Sequence, residues 1–178
     1  MKEMDVDRKE ISGIPIVGIL TSELDLVGSV EKLWPERLAR VRCSMNPFPF
    51  NMSAYYEKEM GRGLLRTWLA FENQVGQDEL VRFKHRAVAL ENEFVKPGAG
   101  RRINIDPGLV TLHSLLLTTH KNCGHRIYLG DGVFVEMTLI FQHQRFEPFS
   151  WTYPDYRLEG VIGFFSQLRN DLKKELKS

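Results

Sequence analysis

The chain has 178 residues, with 24 Lys and Arg against 23 Asp and Glu, a net charge of +1. That balance argues against a protein that holds nucleic acid through a general basic excess. Its 43% apolar and 26% charged residues are ordinary for a soluble globular chain. No apolar run approaches the ~20 residues of a membrane-spanning helix, and two cysteines, Cys43 and Cys123, are too few for a disulfide framework, which makes a reducing, cytoplasmic setting the expectation.

Residues 1–12 are mostly polar and read as a frayed tail, with one domain over 13–178. The β-branched run 14–20 predicts a buried strand. Ser22, followed by Asp25, resembles the start of a helix carrying Leu24, Val27, Val30 and Trp34, with Pro35 as its stop. Residues 38–44 alternate apolar and basic side chains, as a strand does, and the prolines of 46–50 make a loop. Residues 53–60 and 64–72 flank Gly61-Arg62-Gly63 and suggest a hairpin, with a helix as the alternative for the first arm. Residues 78–96 form the clearest helix, with Leu80, Phe83, Ala87, Leu90 and Phe94 at spacings of three and four and Val81, Val88 and Val95 widening the stripe.

After Pro97, residues 103–105 read as a short strand and Asp106-Pro107-Gly108 as a turn. The apolar run 109–119 suits helix or strand, and the Leu109, Leu112, Leu116 spacing favours helix. Gly130-Asp131-Gly132 between two apolar segments is a strong hairpin signal. A final helix is predicted over 158–176, with lysines near its end that complement the helix dipole. The pattern predicts an α+β domain: a mixed, mostly antiparallel sheet with helices mainly on one face. It is compatible with a ferredoxin-like βαββαβ core carrying an added hairpin and a C-terminal helix.

Residues 101–141 concentrate the groups able to do chemistry. If the loop is the three residues Gly130–Gly132, Arg126 faces Glu136; if it is the two residues Gly130-Asp131, His125 does. In either register a cation meets the single carboxylate of an apolar strand, either as a structural pair or as a platform that orients an anion and positions His125 for acid–base work. Arg101 and Arg102 fall on opposite faces of their strand, so only one can join a site. Asp106 is a turn residue or a helix cap or ligand. His120-x-x-Cys123-x-His125 has donors that suit zinc, but no second Cys/His cluster completes four ligands, so no metal is expected. Tyr55, Tyr56, Glu57, Glu59 and Glu72 form an acidic–aromatic group. Thr152 and Asp155 read as a helix cap. There is no GxxxxGK[ST] loop, no GxGxxG and no GxSxG elbow.

Three phrases, Pro47-Phe-Pro-Phe50 leading to Tyr55-Tyr-Glu-Lys-Glu-Met-Gly61, Arg102-Ile-Asn-Ile-Asp-Pro-Gly108 leading to His125-Arg-Ile-Tyr-Leu-Gly130, and Phe146-Glu-Pro-Phe149 leading to Trp151-Thr-Tyr-Pro-Asp-Tyr156, resemble in order and spacing the bacterial domain-of-unknown-function family DUF4416. The resemblance covers the chain from about residue 14 onward. It implies a stand-alone prokaryotic protein and supplies no catalytic residues.

The leading expectation is a cytoplasmic binding protein or enzyme for a small anionic, phosphorylated ligand. Asp106, His125 and Glu136 are the candidates for catalysis, and Arg102, Lys121, Arg126, Tyr55 and Glu57 the candidates for ligand binding. The residues specify no cofactor. The alternatives are a non-catalytic interaction module or homodimer using exposed aromatics such as Trp151 and Tyr156, and weak RNA binding through a sheet face, which the neutral charge disfavours.

Overall fold

The computed structural model describes residues 11–34, 40–95, 98 and 100–177. Of the tail expected over residues 1–12, the first ten residues lie outside the described residues, as do Pro35 and Pro97; Ser12 already belongs to a strand. In chain order the elements are β1 (Ser12–Thr21), α1 (Leu24–Leu33), β2 (Val41–Ser44), β3 (Phe48–Pro49), α2 (Glu57–Met60), β4 (Leu65–Phe71), β5 (Val75–Gly76), α3 (Leu80–Glu93), β6 (Ile103–Val110), β7 (Ser114–Thr119), β8 (Ile127–Gly130), β9 (Val133–Gln142), β10 (Arg145–Pro148) and α4 (Glu159–Glu175).

β1 sits at the centre, between β4 and β6, and β2 lies outside β4. The order β6-β1-β4-β2, with α1 between β1 and β2 and α3 between β4 and β6, is the ferredoxin-like βαββαβ arrangement. The sheet continues from β6 through β7 and β9 to β10, with β8 also on β9, and every pairing among the described strands is antiparallel.

Alternation along β1 explains both cores. Val17 and Ile19 face α1 and α3, where Leu26, Val30, Phe83, Ala87 and Leu90 pack. Ile14 and Ile16 face α4, with Trp68, Phe165, Leu168 and Leu172. A strand buried on both faces reads as a continuous apolar run, as residues 14–20 do. The α+β class therefore holds, with α1 and α3 on one face and α4 covering the other.

Several local expectations change. The hydroxyl of Thr21, not Ser22, accepts the Glu23 N–H at the start of α1 (3.0 Å). The buried stripe of α1 is Leu26, Val30 and Trp34, and Leu24 is exposed. The first arm of the expected hairpin at 53–60 is a turn followed by α2, the helical alternative, and β4 instead receives β3 and β2.

The largest correction concerns 103–119. Asp106-Pro107-Gly108 is not a turn: β6 runs straight through it, paired with β1 at every residue from Ile103 to Val110. Residues 109–119 are not a helix. They finish β6, turn at Thr111, whose hydroxyl accepts the His113 and Ser114 N–H groups (3.2 and 2.9 Å), and return as β7. Apolar residues on both faces of a buried strand imitate a helical stripe.

Pro107 has no N–H to give a neighbouring strand. Accordingly β7 pairs β6 only at Gly108–Val110 and then departs. The Pro107 carbonyl accepts the Thr118 hydroxyl (3.0 Å), and the Ile105 N–H is taken by the Glu91 carboxylate from α3 (2.6 Å). Side chains thus replace the missing ladder and leave a gap in the sheet.

Candidate functional site

A cavity of about 240 Å³ opens where β6 and β7 diverge, lined from both faces of the sheet. From the α4 side come Arg66 of β4, Asn104 and Asp106 of β6, Glu136 of β9, Arg126, and Asp155 and Tyr156 of the short turn before α4. From α3 come Lys84, Val88 and Glu91, which share one helix face at spacings of four and three. Tyr55 and Tyr56, just before α2, and Lys121, after β7, form the rim.

Arg66 anchors the α4-side wall. It is 5% exposed. Its Nε donates to Asp155 Oδ2 (2.8 Å), its Nη1 to Asp106 Oδ2 (3.1 Å) and its Nη2 to the Tyr156 hydroxyl (3.3 Å). Burial opposes the guanidinium charge, but Tyr156, Asp155 and Asp106 outweigh it and hold the Arg66 pKa above its ordinary range. The Tyr156 hydroxyl also accepts from Trp68 Nε1 (3.0 Å), and burial pushes this phenol well up, so it stays protonated. Gly18 makes room: a Cβ there would stand 3.0 Å from Trp68 Nε1 and 3.1 Å from the Tyr156 hydroxyl. Asn104 Nδ2 donates to Asp106 Oδ2 (2.8 Å), and Arg101 Nη1 orients Asn104 from behind (3.1 Å).

A second arginine–carboxylate unit closes the wall on the β9 side. The β8–β9 loop is Asp131-Gly132, both at positive φ, with a bulge between Tyr128 and Gly130. Positive φ at both positions is the tight hairpin geometry that Asp-Gly favours. Ile127 then faces Val135, which brings Arg126 beside Glu136. Arg126 Nε donates to Glu136 Oε2 (2.7 Å), its Nη1 to the Lys121 carbonyl (2.9 Å) and its Nη2 to the Tyr153 hydroxyl (3.1 Å). His125 Nε2 lies 3.2 Å from the same Glu136 oxygen. Both cations weighed against Glu136 in the sequence therefore reach it. The His125 ring stacks on Trp151, which stacks on Phe149.

The α3 wall is different. Burial pushes the Glu91 carboxyl up, against the opposing pull of the Ile105 N–H and the charge of Lys84. Lys84 is 8% exposed, lines the cavity, and makes no hydrogen bond or ion pair among the described residues. At the rim, Lys121 Nζ donates to the Tyr55 hydroxyl (2.9 Å), and that ammonium lowers the Tyr55 pKa. Arg101 grips Glu59 of α2 with two bonds of 2.8 Å and holds that carboxyl below its usual range.

Of the residues expected from sequence, Asp106, Glu136, Lys121, Arg126 and Tyr55 share this cavity. His125 does not line it and touches it only through Glu136. Arg102 lies away from it: both arginines precede β6, and Arg101 turns to the cavity while Arg102 meets Glu23 (2.8 Å) and the Phe94 carbonyl (3.3 Å). Glu57 also lies outside, because its segment is helical and Glu59 is the residue that meets Arg101. His120 Nδ1 is bound to the Gly132 carbonyl (2.9 Å) beside His85, far from the role of His125, and among the described residues no three His, Cys, Asp or Glu side chains gather as a metal site.

Asp155 is not a helix cap but the buried partner of Arg66. Arg66, Lys84, Glu91, Asn104 and Asp155 escaped the sequence reading. Lys84 and Glu91 left a signal: two charges seven residues apart, on the face of α3 that also carries Val88. Arg66 left another, a lone cation in the apolar strand Leu65–Phe71.

No described helix is long and apolar enough to cross a membrane. No curated protein matches this chain, and no solved structure does. Residues 13–172 match the family described as Domain of unknown function (DUF4416), so the chain belongs to the DUF4416 family.

Proposed function

We propose that this is a bacterial, cytoplasmic protein that binds a small phosphorylated molecule in the cavity between β6 and β7. The observation that carries this reading is Lys84, a lysine nine-tenths buried on the cavity wall that makes no hydrogen bond or ion pair among the described residues. A largely buried charge without hydrogen bonds is costly, and Lys84 has only the through-space attraction of Glu91. Glu91, on the same face, is committed to the Ile105 N–H. A bound anion supplies the missing partner.

Lys121, whose side-chain partner is the neutral Tyr55, adds a second cation, and the half-buried Tyr56 hydroxyl, held protonated by burial, adds a donor that makes no hydrogen bond among the described residues. Several donors lining one cavity suit the terminal oxygens of a phosphate. The volume, about 240 Å³, lies below the roughly 300–1,000 Å³ of sites for drug-sized ligands and calls for a small molecule. In this reading His125 is a positioning residue that holds Glu136.

The test is thermal unfolding with inorganic phosphate, against chloride at equal ionic strength. Binding to the folded state raises Tm. Phosphate raises Tm in the natural protein, and Lys84→Met removes that rise while leaving the ligand-free protein as stable or more so. No phosphate effect in the natural protein, or an equal effect in Lys84→Met, overturns the reading.

A second reading is self-association. β8 is an edge strand among the described residues, and Ile127, Tyr128 and Leu129 on it are 69%, 59% and 40% exposed. Apolar edge strands are surfaces on which chains pair.

A further inference from the structure

We infer that the phosphorylated ligand is a polyol, a sugar phosphate whose hydroxyls donate to Asp106 and Glu136; this rests on the phosphate reading above. The two carboxylates are presented to the cavity in the same manner. Asp106 Oδ2 accepts from both Arg66 Nη1 and Asn104 Nδ2, and its Oδ1 accepts no hydrogen bond among the described residues. Glu136 Oε2 has both Arg126 Nε and His125 Nε2, while Oε1 has only a long 3.5 Å contact from Thr138. Each carboxylate thus loads one oxygen with two donors and keeps the other in reserve.

Such acceptors repel a bare anion. They favour a ligand that carries donors beyond its phosphate, and those donors are hydroxyls or an ammonium. The arginines decide between them. Arg66 and Arg126 lie against the two carboxylates, at 3.1 and 2.7 Å; Arg66 is shared with Asp155, but the whole cavity lining carries five Lys and Arg against four carboxylates, so it offers hydrogen-bond acceptors without net negative charge. An ammonium gains little from it over water, whereas a hydroxyl needs only the acceptor. Phe50 and Tyr56, packed edge to face on the same cavity, supply an apolar surface for the C–H face of a sugar. The ligand lies with its phosphate toward Lys84 and its hydroxyls toward β6 and β9.

Calorimetric titration of the intact protein with methyl phosphate, phosphoethanolamine and a panel of sugar phosphates from triose to hexose tests this. At least one sugar phosphate binds about tenfold or more tighter than methyl phosphate and phosphoethanolamine, the scale of one good hydrogen bond. Deoxy analogues of that sugar phosphate lose the advantage on the unaltered protein, a comparison that needs no variant. Asp106→Asn narrows the ratio between sugar phosphate and methyl phosphate. If methyl phosphate binds as tightly as every sugar phosphate, or phosphoethanolamine binds tightest, the polyol inference is overturned and the phosphate reading stands. If none of them binds, the phosphate reading itself falls.

Discussion

Two arginine–carboxylate pairs define the site, and they have different tasks. The Arg66–Asp155 pair is fully enclosed, with side chains 6% and 2% exposed, and carries the structural load. Removing one partner of such a pair strands the other charge, at a cost of roughly 3–5 kcal/mol. Asp155→Ala should lower the unfolding free energy by about 3 kcal/mol, the low end because Asp106 still holds Arg66. Urea unfolding checks this, and the double change with Arg66→Met should recover part of the loss. A cost well under 1 kcal/mol would show the pair to be dispensable. Nothing near Asp155 in the sequence announces this role, since its partner lies 89 residues away. The Glu136 pairing, by contrast, was legible in part: the loop is Asp131-Gly132 with a bulge rather than either loop expected, yet the hairpin still brings Arg126 and His125 to that carboxylate.

At the scale of elements, the cavity exists because β6 and β7 part company. Gly108 stands at the last pair before they diverge, and a Cβ there would lie 2.2 Å from the Leu116 carbonyl oxygen. That oxygen is backbone and has little freedom to retreat. Gly108→Ala should destabilise by about 1–3 kcal/mol or more, as overpacking does, and should weaken phosphate binding by spreading the cavity. Gly28→Ala is the internal control: a Cβ there meets nothing within 4 Å, and alanine in a helix gains about 0.5–1 kcal/mol over glycine. Equal melting temperatures for the two variants would contradict this account. The long helices α3 and α4 were legible because one apolar stripe and one polar face mark each. The β6–β7 hairpin was not, because strands covered on both faces lose their alternation and an Asp-Pro-Gly string looks like a turn wherever it falls.

Across the whole molecule, a ferredoxin-like core is widened by a second antiparallel half and roofed on its open face by α4. The widened half ends in β8, whose exposed Ile127, Tyr128 and Leu129 sit apart from the cavity wall. Sedimentation velocity over a range of concentrations should show a dimer that Ile127→Lys converts to monomer, since a charge on an edge strand blocks pairing. A monomer at all concentrations removes the self-association reading and leaves the cavity reading untouched.

By itself the sequence determined the class of fold, the two long helices, the central buried strand, the hairpin that delivers Arg126 and His125 to Glu136, and the family. These follow from periodicity, turn chemistry and the order of three phrases, all of which are local in the chain. Only the tertiary structure decided that Arg101 rather than Arg102 faces the cavity, that Asp155 and Asp106 share Arg66, and that Lys84 is largely buried with no hydrogen bond or ion pair among the described residues. The reason is physical: burial and pairing of a charge depend on residues tens of positions away, brought together when β6 loses its neighbour at a proline and α3 fills the gap.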